Sequence, residues 1–315
     1  MPGAPLVEIA AAPIPAGGEA EWFAGEDGAR LRAALFPTGG PARGSVVVSP
    51  GRTEPIEKYF EVVRDLTARG FVVLVHDWRG QGLSHRLLAD RLLGHADGFE
   101  PFLSDHRQLI AAFEARLPKP WFALGHSMGG CLALLALASG ETRFSGAVLS
   151  APMLGLRTAP IPRPIGRSLA TVFSRVGRGG AAITRSGGET AGFENNVLTH
   201  DRDRYVRNQA QVAACPELAL GSPTWGWLNF AFSAIGALQR GPGLARLRMP
   251  FTVVGAGDDR LVDNAGQKQA VARAPAGRFI EIPGAFHEIL QETDPIRAAF
   301  WSEFDRLVER AGEAI

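Results

Sequence analysis

Thiols are scarce in this chain: Cys131 and Cys215 are the two cysteines in 315 residues. Neither belongs to a CxxC pair, and no His/Cys cluster has zinc-ligand spacing, so neither a disulfide framework nor a zinc site is expected. Cys131 falls in an apolar helical stretch and reads as a small buried filler. Lysine is nearly as rare, at positions 58, 119 and 268, and arginine carries the rest of the positive charge. The formal net charge is +1, so no global field would gather nucleic acid, and none is expected as a partner. No apolar run approaches the roughly 20 residues of a membrane-spanning helix. The opening MPGAPLVEIAAAPIPAGG has no basic start and no unbroken apolar core, so it is not expected to act as a signal peptide. The cytoplasm is the expected compartment, with the inner membrane face as the place of any peripheral contact.

What is present is a chain long enough for a large core, with 46% hydrophobic and 21% charged residues. After a loose arm over residues 1–18, two strands are predicted around the turn Glu26-Asp27-Gly28. Short apolar runs follow at 45–49, 71–77, 121–125, 146–152, 251–257 and 278–284. Helical patterns alternate with them at 56–69, 99–116, 128–140, 264–274 and 295–311. Near-continuous Val, Leu and Phe runs suit strands buried on both faces. The alternation predicts an α/β fold with a mostly parallel, doubly wound sheet. It breaks after Pro152 and resumes at Pro250, and a structureless loop of that length is implausible. The expected organisation is therefore a core in two parts, 1–152 and 250–315, with a helical cap inserted over 153–249.

One short stretch raises a chemical question. GHSMGG (125–130) follows the apolar run WFAL and precedes CLALLALA. A helix-capping serine explains that string, and so does a nucleophile on a sharp strand-to-helix turn. In the second case the glycines are steric necessities, and the helix N-terminus offers free N–H groups to a developing oxyanion. A serine hydroxyl needs an imidazole base oriented by a carboxylate. Of the seven histidines, His287 alone follows a late strand, in IPGAFHEIL, as the order Ser, acid, His requires. The preceding strand ends in GAGDDRLVDN, which supplies Asp258 and Asp259; spacing does not separate them. Asp263 in the same segment reads as the cap of the helix at 264–274. For the oxyanion, Met128 offers one backbone N–H and the turn Pro50-Gly51-Arg52 a second, at Arg52, since proline has none.

Four segments together resemble the serine-hydrolase branch that holds monoacylglycerol lipases and bacterial lysophospholipases: SPGRTEPIEKY, HDWRGQGLSHRLLADRLLGH, GHSMGG, and GAGDDRLVDN with PGAFHEIL. NVLTHDRDRYVRN and GSPTWGW resemble the lysophospholipase members in particular, and the likeness runs over residues 20–305. The resemblance implies an α/β-hydrolase fold with a helical cap over an acyl pocket. It also implies Asp259 as the catalytic acid, with Asp258 as the fallback, since the family's carboxylate precedes the Arg of a D-R-x-x-D pattern. Many relatives have His-Gly where this chain has Pro50-Gly51, a change that leaves the Arg52 N–H in place. DWRGQGLS (77–84) is read as structural, with Asp77 and Arg79 bracing a glycine-rich loop.

The expected activity is hydrolysis of single-chain lipid esters, a lysophospholipid or monoacylglycerol, by Ser127, His287 and Asp259, with no cofactor or metal. Two alternatives stand beside it: the same machinery acting as a short-chain esterase, thioesterase or peptidase, and a non-catalytic binding protein of the same fold. The cap carries Arg157, Arg163, Arg167, Arg175, Arg178 and Arg185 interleaved with Ile161, Ile165, Leu169, Val172 and Phe173, and no acid occurs between Ala151 and Gly188. Such a face suits anionic lipid headgroups as well as plain solvent. Oligomeric state is not legible.

Overall fold

Apolar residues dominate the runs at 44–49, 71–76, 121–126 and 251–256, and every residue in them is buried. Runs of this kind belong inside a sheet covered on both faces. The computed structural model describes residues 3–158, 160–184 and 192–312, and places these runs at the centre of one nine-stranded sheet. The strands are β1 (Gly3–Ala4), β2 (Glu19–Ala24), β3 (Arg30–Phe36), β4 (Gly44–Ser49), β5 (Phe71–His76), β6 (Trp121–His126), β7 (Phe144–Ser150), β8 (Phe251–Ala256) and β9 (Gly277–Ile282). Their spatial order is β1-β2-β3-β5-β4-β6-β7-β8-β9. The first three strands and the β3–β5 pair are antiparallel, and every later pair is parallel. The predicted hairpin is the β2–β3 pair, with Gly28 at φ 80° in its turn.

The helices are α1 (Phe60–Ala68), α2 (Glu100–Phe113), α3 (Ser127–Ala138), α4 (Arg163–Arg175), α5 (Arg202–Ala214), α6 (Trp225–Arg240), α7 (Gly243–Arg246), α8 (Asn264–Ala272) and α9 (Asp294–Gly312). The stretch predicted as one helix over 56–69 begins as a 3₁₀ turn at Ile56–Tyr59 before α1. Helix α3 is buried from Met128 to Leu137, which explains why SMGGCLALLALA has no polar stripe. Cys131 lies within it, and burial pushes its thiol up to about 12. Asp263 caps α8 as expected, accepting the N–H of Ala265 at 3.1 Å.

The arm expected to be loose is tied down where it is described. Gly3 and Ala4 pair with Glu21 and Ala20. Leu6, Ile9 and Ile14 pack on the core. The cause lies beneath: Arg32 is fully buried, and its guanidinium needs acceptors on every side. Asp77 and Glu57 supply charge at 2.7 and 2.8 Å, and the carbonyl of Pro5 in the arm accepts from Nη1 at 2.9 Å.

Between β7 and β8 the chain forms α4 to α7, and among the described residues no strand lies there. Of the cap arginines read from the sequence, Arg185 lies outside the described residues. Helix α6 links the insertion to the core, with Phe230 stacked on Phe102 of α2 at 4.9 Å and Trp225 stacked on Phe173 of α4 at 4.7 Å. Helix α5 is fastened by charge. Glu61 of α1 accepts from Arg204 and Arg207 of α5, at 2.7 and 2.6 Å, and from Arg297 of α9 at 2.9 Å. Burial alone would push that carboxyl up, but three guanidinium groups outweigh it and hold it at about 2.

A depressed carboxyl stabilises the fold above its unfolded value of 4.5 and loses that contribution as pH falls through about 2. Glu61→Gln is expected to cost about 1–2 kcal/mol near neutrality, after allowance for solvent screening. The gap in Tm between wild type and variant should narrow steadily as pH falls from 5 toward 3. A gap independent of pH in calorimetry would show that Glu61 is not the titrating clamp.

Candidate active site

Strand β6 ends in Gly125-His126, and the chain reverses at once into α3. Ser127 sits at the junction with φ 49°, a left-handed conformation that a non-glycine residue adopts only where its surroundings impose it. The neighbouring glycines make the turn possible. A Cβ on Gly125 would stand 2.7 Å from the Gly130 Cα, and one on Gly129 would overlap the carbonyl oxygens of Ser49 and Pro50 at the end of β4. The elbow therefore presses directly against the following turn, Pro50-Gly51-Arg52.

His287 follows β9 and reaches this elbow. Its Nε2 lies 3.0 Å from the Ser127 Oγ and its Nδ1 2.7 Å from Oδ2 of Asp259, which follows β8. Asp259 is buried, and its other oxygen accepts the N–H groups of Leu261 at 2.8 Å and Val262 at 2.9 Å. Burial works to raise this carboxyl. The hydrogen bond and charge of His287, joined by the two amides, prevail and lower it. An ionised Asp259 accepts only, so Nδ1 carries the ring proton and Nε2 is left to accept from the serine hydroxyl. Asp258 is exposed, and its backbone N–H donates to the carbonyl of Ala285 at 2.9 Å, while its carboxylate has no hydrogen bond among the described residues.

The turn above the serine has its polar groups assigned. The Gly51 N–H donates to Glu54 at 2.5 Å, Trp78 Nε1 donates to the Pro50 carbonyl at 2.8 Å, and Gln81 donates to the Gly51 carbonyl at 2.8 Å. The N–H groups of Arg52 and Met128 have no partner among the described residues. DWRGQGLS thus braces this turn through Trp78 and Gln81. Asp77 pairs with Arg32, and Arg79 pairs with Asp105 at 2.6 Å and Asp27 at 2.9 Å.

A second charged layer lies behind the first and was not legible as a site in the sequence. Glu54 accepts from Tyr59 at 2.6 Å, from His126 Nδ1 at 2.9 Å and from Lys58 at 3.0 Å; Lys58 also pairs with Glu288 at 2.5 Å. His126 Nε2 lies 3.2 Å from the His287 carbonyl oxygen, and the two imidazole centroids are 4.9 Å apart. Both partners of His126 are acceptors, so both ring nitrogens donate and the ring is an imidazolium. Burial opposes that charge, but the neighbouring Glu54 carboxylate outweighs it and raises the imidazole. Glu54 is in turn held well below the usual carboxylate range, against its burial, chiefly by the charges of His126 and Lys58. The only hint in the sequence was the i,i+4 pair Glu54 and Lys58 in SPGRTEPIEKY.

The family model described as Serine aminopeptidase, S33 matches residues 40–294. Lysophospholipase L2 of Escherichia coli K12 is 37% identical over 268 residues, covering 80% of this chain and 76% of that protein. The Homo sapiens monoglyceride lipase is 25% identical over 280 residues, covering 87% and 84%. Among solved structures, a soluble variant of the Saccharomyces cerevisiae monoglyceride lipase superposes with a TM-score of 0.73 at 18% identity, over 93% of this chain and 96% of that one. The Paleococcus ferrophilus monoacylglycerol lipase gives 0.70 at 20% identity, over 89% and 98%. The architecture is the α/β-hydrolase fold.

If Glu54 supplies the charge that keeps His126 protonated, Glu54→Gln should move the His126 titration from above the ordinary imidazole value to below it. Imidazole ¹⁵N shifts followed against pH will read this. An unmoved midpoint would remove Glu54 as the cause.

Proposed function

Since this chain belongs to the serine aminopeptidase, S33 family and is a serine hydrolase, we propose that it cleaves carboxylic esters of single-chain lipids, lysophospholipids or monoacylglycerols, through an acyl-enzyme on Ser127. The observation that carries the proposal is the unbroken relay from Ser127 through His287 to Asp259, at 3.0 and 2.7 Å. The Ser127 Oγ attacks the ester carbonyl carbon and its proton passes to His287 Nε2. The displaced π electrons settle on the carbonyl oxygen, where the free N–H groups of Arg52 and Met128 receive them. Each such donor is worth on the order of 3 kcal/mol in the transition state. Collapse expels the glycerol-side oxygen, which takes the proton from His287. A water then repeats the sequence against the acyl group, again with His287 as base, and frees the fatty acid. Asp259 stays ionised throughout, holding the tautomer and balancing the imidazolium.

The family description names an aminopeptidase, whereas the relatives named above are a lysophospholipase and a monoglyceride lipase. An ester substrate is favoured by the 37% identity to a lysophospholipase. The insertion over 153–249 serves, in this reading, as a cap over the acyl chain.

The same reading extends to where the enzyme works. Helix α4 exposes Ile165 and Val172, flanked by Ile161 and Val176, with exposures of 53, 54, 41 and 65%. Arg167, Arg175 and Arg178 lie along the same segment, all exposed, whereas Arg163 pairs with Asp263, and no acidic residue lies between 152 and 184. An exposed apolar stripe with a basic rim suits an anionic bilayer surface, on which α4 would lie in the interface plane. Among the described residues no helix is long and apolar enough to cross a membrane.

Two measurements test this. A fluorophosphonate probe should label the wild type and not Ser127→Ala, and Asp259→Asn should lower kcat about 10³–10⁴-fold, whereas Asp258→Asn should change it by less than about threefold. Persistent labelling of Ser127→Ala would mean another nucleophile. In flotation assays, binding to phosphatidylglycerol vesicles should fall about tenfold in Ile165→Glu/Val172→Glu and weaken with salt. Equal flotation of the wild type and this variant would rule out α4 as the docking face.

A further inference from the structure

Arg52 enters the proposed reaction through its backbone alone, and its side chain is left without a stated purpose. The guanidinium runs into the seam between the core loop at Gly94 and the cap segment 221–227. Its Nε–Nη2 edge faces Gly94, where an added Cβ would come 2.7 Å from Nη2 and 3.1 Å from Nε. On another side the Trp227 ring centroid stands 5.3 Å from Cζ. Nη2 donates to the Gly221 carbonyl. Nε is sealed from solvent and has no hydrogen-bond partner among the described residues. Among the described residues no carboxylate lies within 4.0 Å of this cation, and no neighbouring charge perturbs it.

Most buried arginines of the chain are differently placed. Arg32 and Arg79 each face two carboxylates. Arg86, whose Nε is also unbonded, spends its terminal nitrogens on five carbonyls, those of Gly80, Gly82, Arg91, Glu217 and Ala219. Arg52 has one carbonyl and one aromatic face. Desolvation pulls it down to about 10, which still leaves it charged at neutral pH. Depth and exposure differ at this residue: it is deeply set, yet it keeps part of its surface accessible. The accessible part is where a solute can reach the side chain. A desolvated cation without a counter-ion is a standing cost, and an anion that reaches it relieves that cost.

We infer that the Arg52 guanidinium is the subsite for the phosphate of a lysophospholipid headgroup. The inference rests on the lipid-ester reading above and narrows it to the phosphate-bearing class. The covalent geometry of such a substrate supports it. From the ester carbonyl carbon through the glycerol to phosphorus run six single bonds, about 7 Å when extended, which is close to the reach of an arginine side chain from its own backbone. With the carbonyl oxygen at the Arg52 N–H, the phosphate falls within range of the same residue's guanidinium. Arginine binds phosphate oxygens through paired N–H groups, so one residue would read both ends of the glycerol unit. A monoacylglycerol offers a neutral hydroxyl at that place and leaves the cation unpaired.

The test compares two substrates with one acyl chain, 1-palmitoyl-lysophosphatidylglycerol and 1-palmitoylglycerol, both in uncharged detergent micelles. The quantity read is the ratio of their kcat/KM values. Arg52→Gln keeps the backbone N–H and should lower that ratio roughly 10- to 100-fold, and Arg52→Lys should recover part of it. Fluorophosphonate labelling verifies that each variant retains an assembled site. Glycerol 3-phosphate should inhibit the wild type competitively and Arg52→Gln far more weakly. A ratio unmoved in Arg52→Gln, however far both rates fall, overturns the subsite while leaving the lipid-ester reading intact. Inhibition by inorganic phosphate that is lost in Arg52→Gln with the ratio unmoved identifies a free-anion site and likewise overturns it. A wild type that labels at Ser127 but hydrolyses neither lipid brings down both readings together.

Discussion

The active-site end of this molecule depends on a contact made by backbone alone. Gly129, in the first turn of α3, lies so close to the carbonyl oxygens of Ser49 and Pro50 that no side chain fits between them. That approach brings the N-terminus of a buried helix against the end of the neighbouring parallel strand. It forces Ser127 into a left-handed turn at φ 49° and sets the Met128 N–H beside the turn that carries the Arg52 N–H. Strain of this kind persists only where the surroundings overdetermine it. Here they do, since α3 is buried from Met128 to Leu137 and the adjoining strands β4 and β6 are buried along their whole length.

The buried polar groups around that contact act by taking up competing hydrogen bonds. Glu54 occupies the Gly51 N–H, and Trp78 and Gln81 occupy the Pro50 and Gly51 carbonyls, so the free donor of the turn is the one at Arg52. Through His126, the same carboxylate extends to the backbone carbonyl of His287. The turn Pro50-Gly51-Arg52, the residue preceding Ser127, and His287 therefore share one satisfied network. A network of that kind rigidifies when complete and is costly when broken. Arg52 is the exception beside it, a cation with no carboxylate partner among the described residues.

The insertion between β7 and β8 is attached to the core by unlike means at α5 and α6. Aromatic stacking holds α6 to the core, and a clamp of three arginines on Glu61 holds α5. The first is insensitive to pH and salt, and the second is not. The exposed face of α4 lies outside both attachments. In the proposed reading, substrate recognition and surface docking fall to the part of the chain that the parallel sheet constrains least.

By itself the sequence determined the sheet and the elbow. Burial on both faces writes strands as unbroken apolar runs, and a turn without room for side chains must be written in glycine, so both features survive in one dimension. The order of Ser127, Asp259 and His287 along the chain was legible for the same reason, because each follows a strand end. The choice between Asp258 and Asp259 was not, since adjacent residues differ only in which way the backbone turns them, and the fold exposes one and buries the other against His287. The docking of the N-terminal arm, the protonated His126 and the unpaired Arg52 were decided by tertiary structure alone. Each depends on which charges end up within a few ångströms after burial, and burial is a property of the folded chain that no local pattern records.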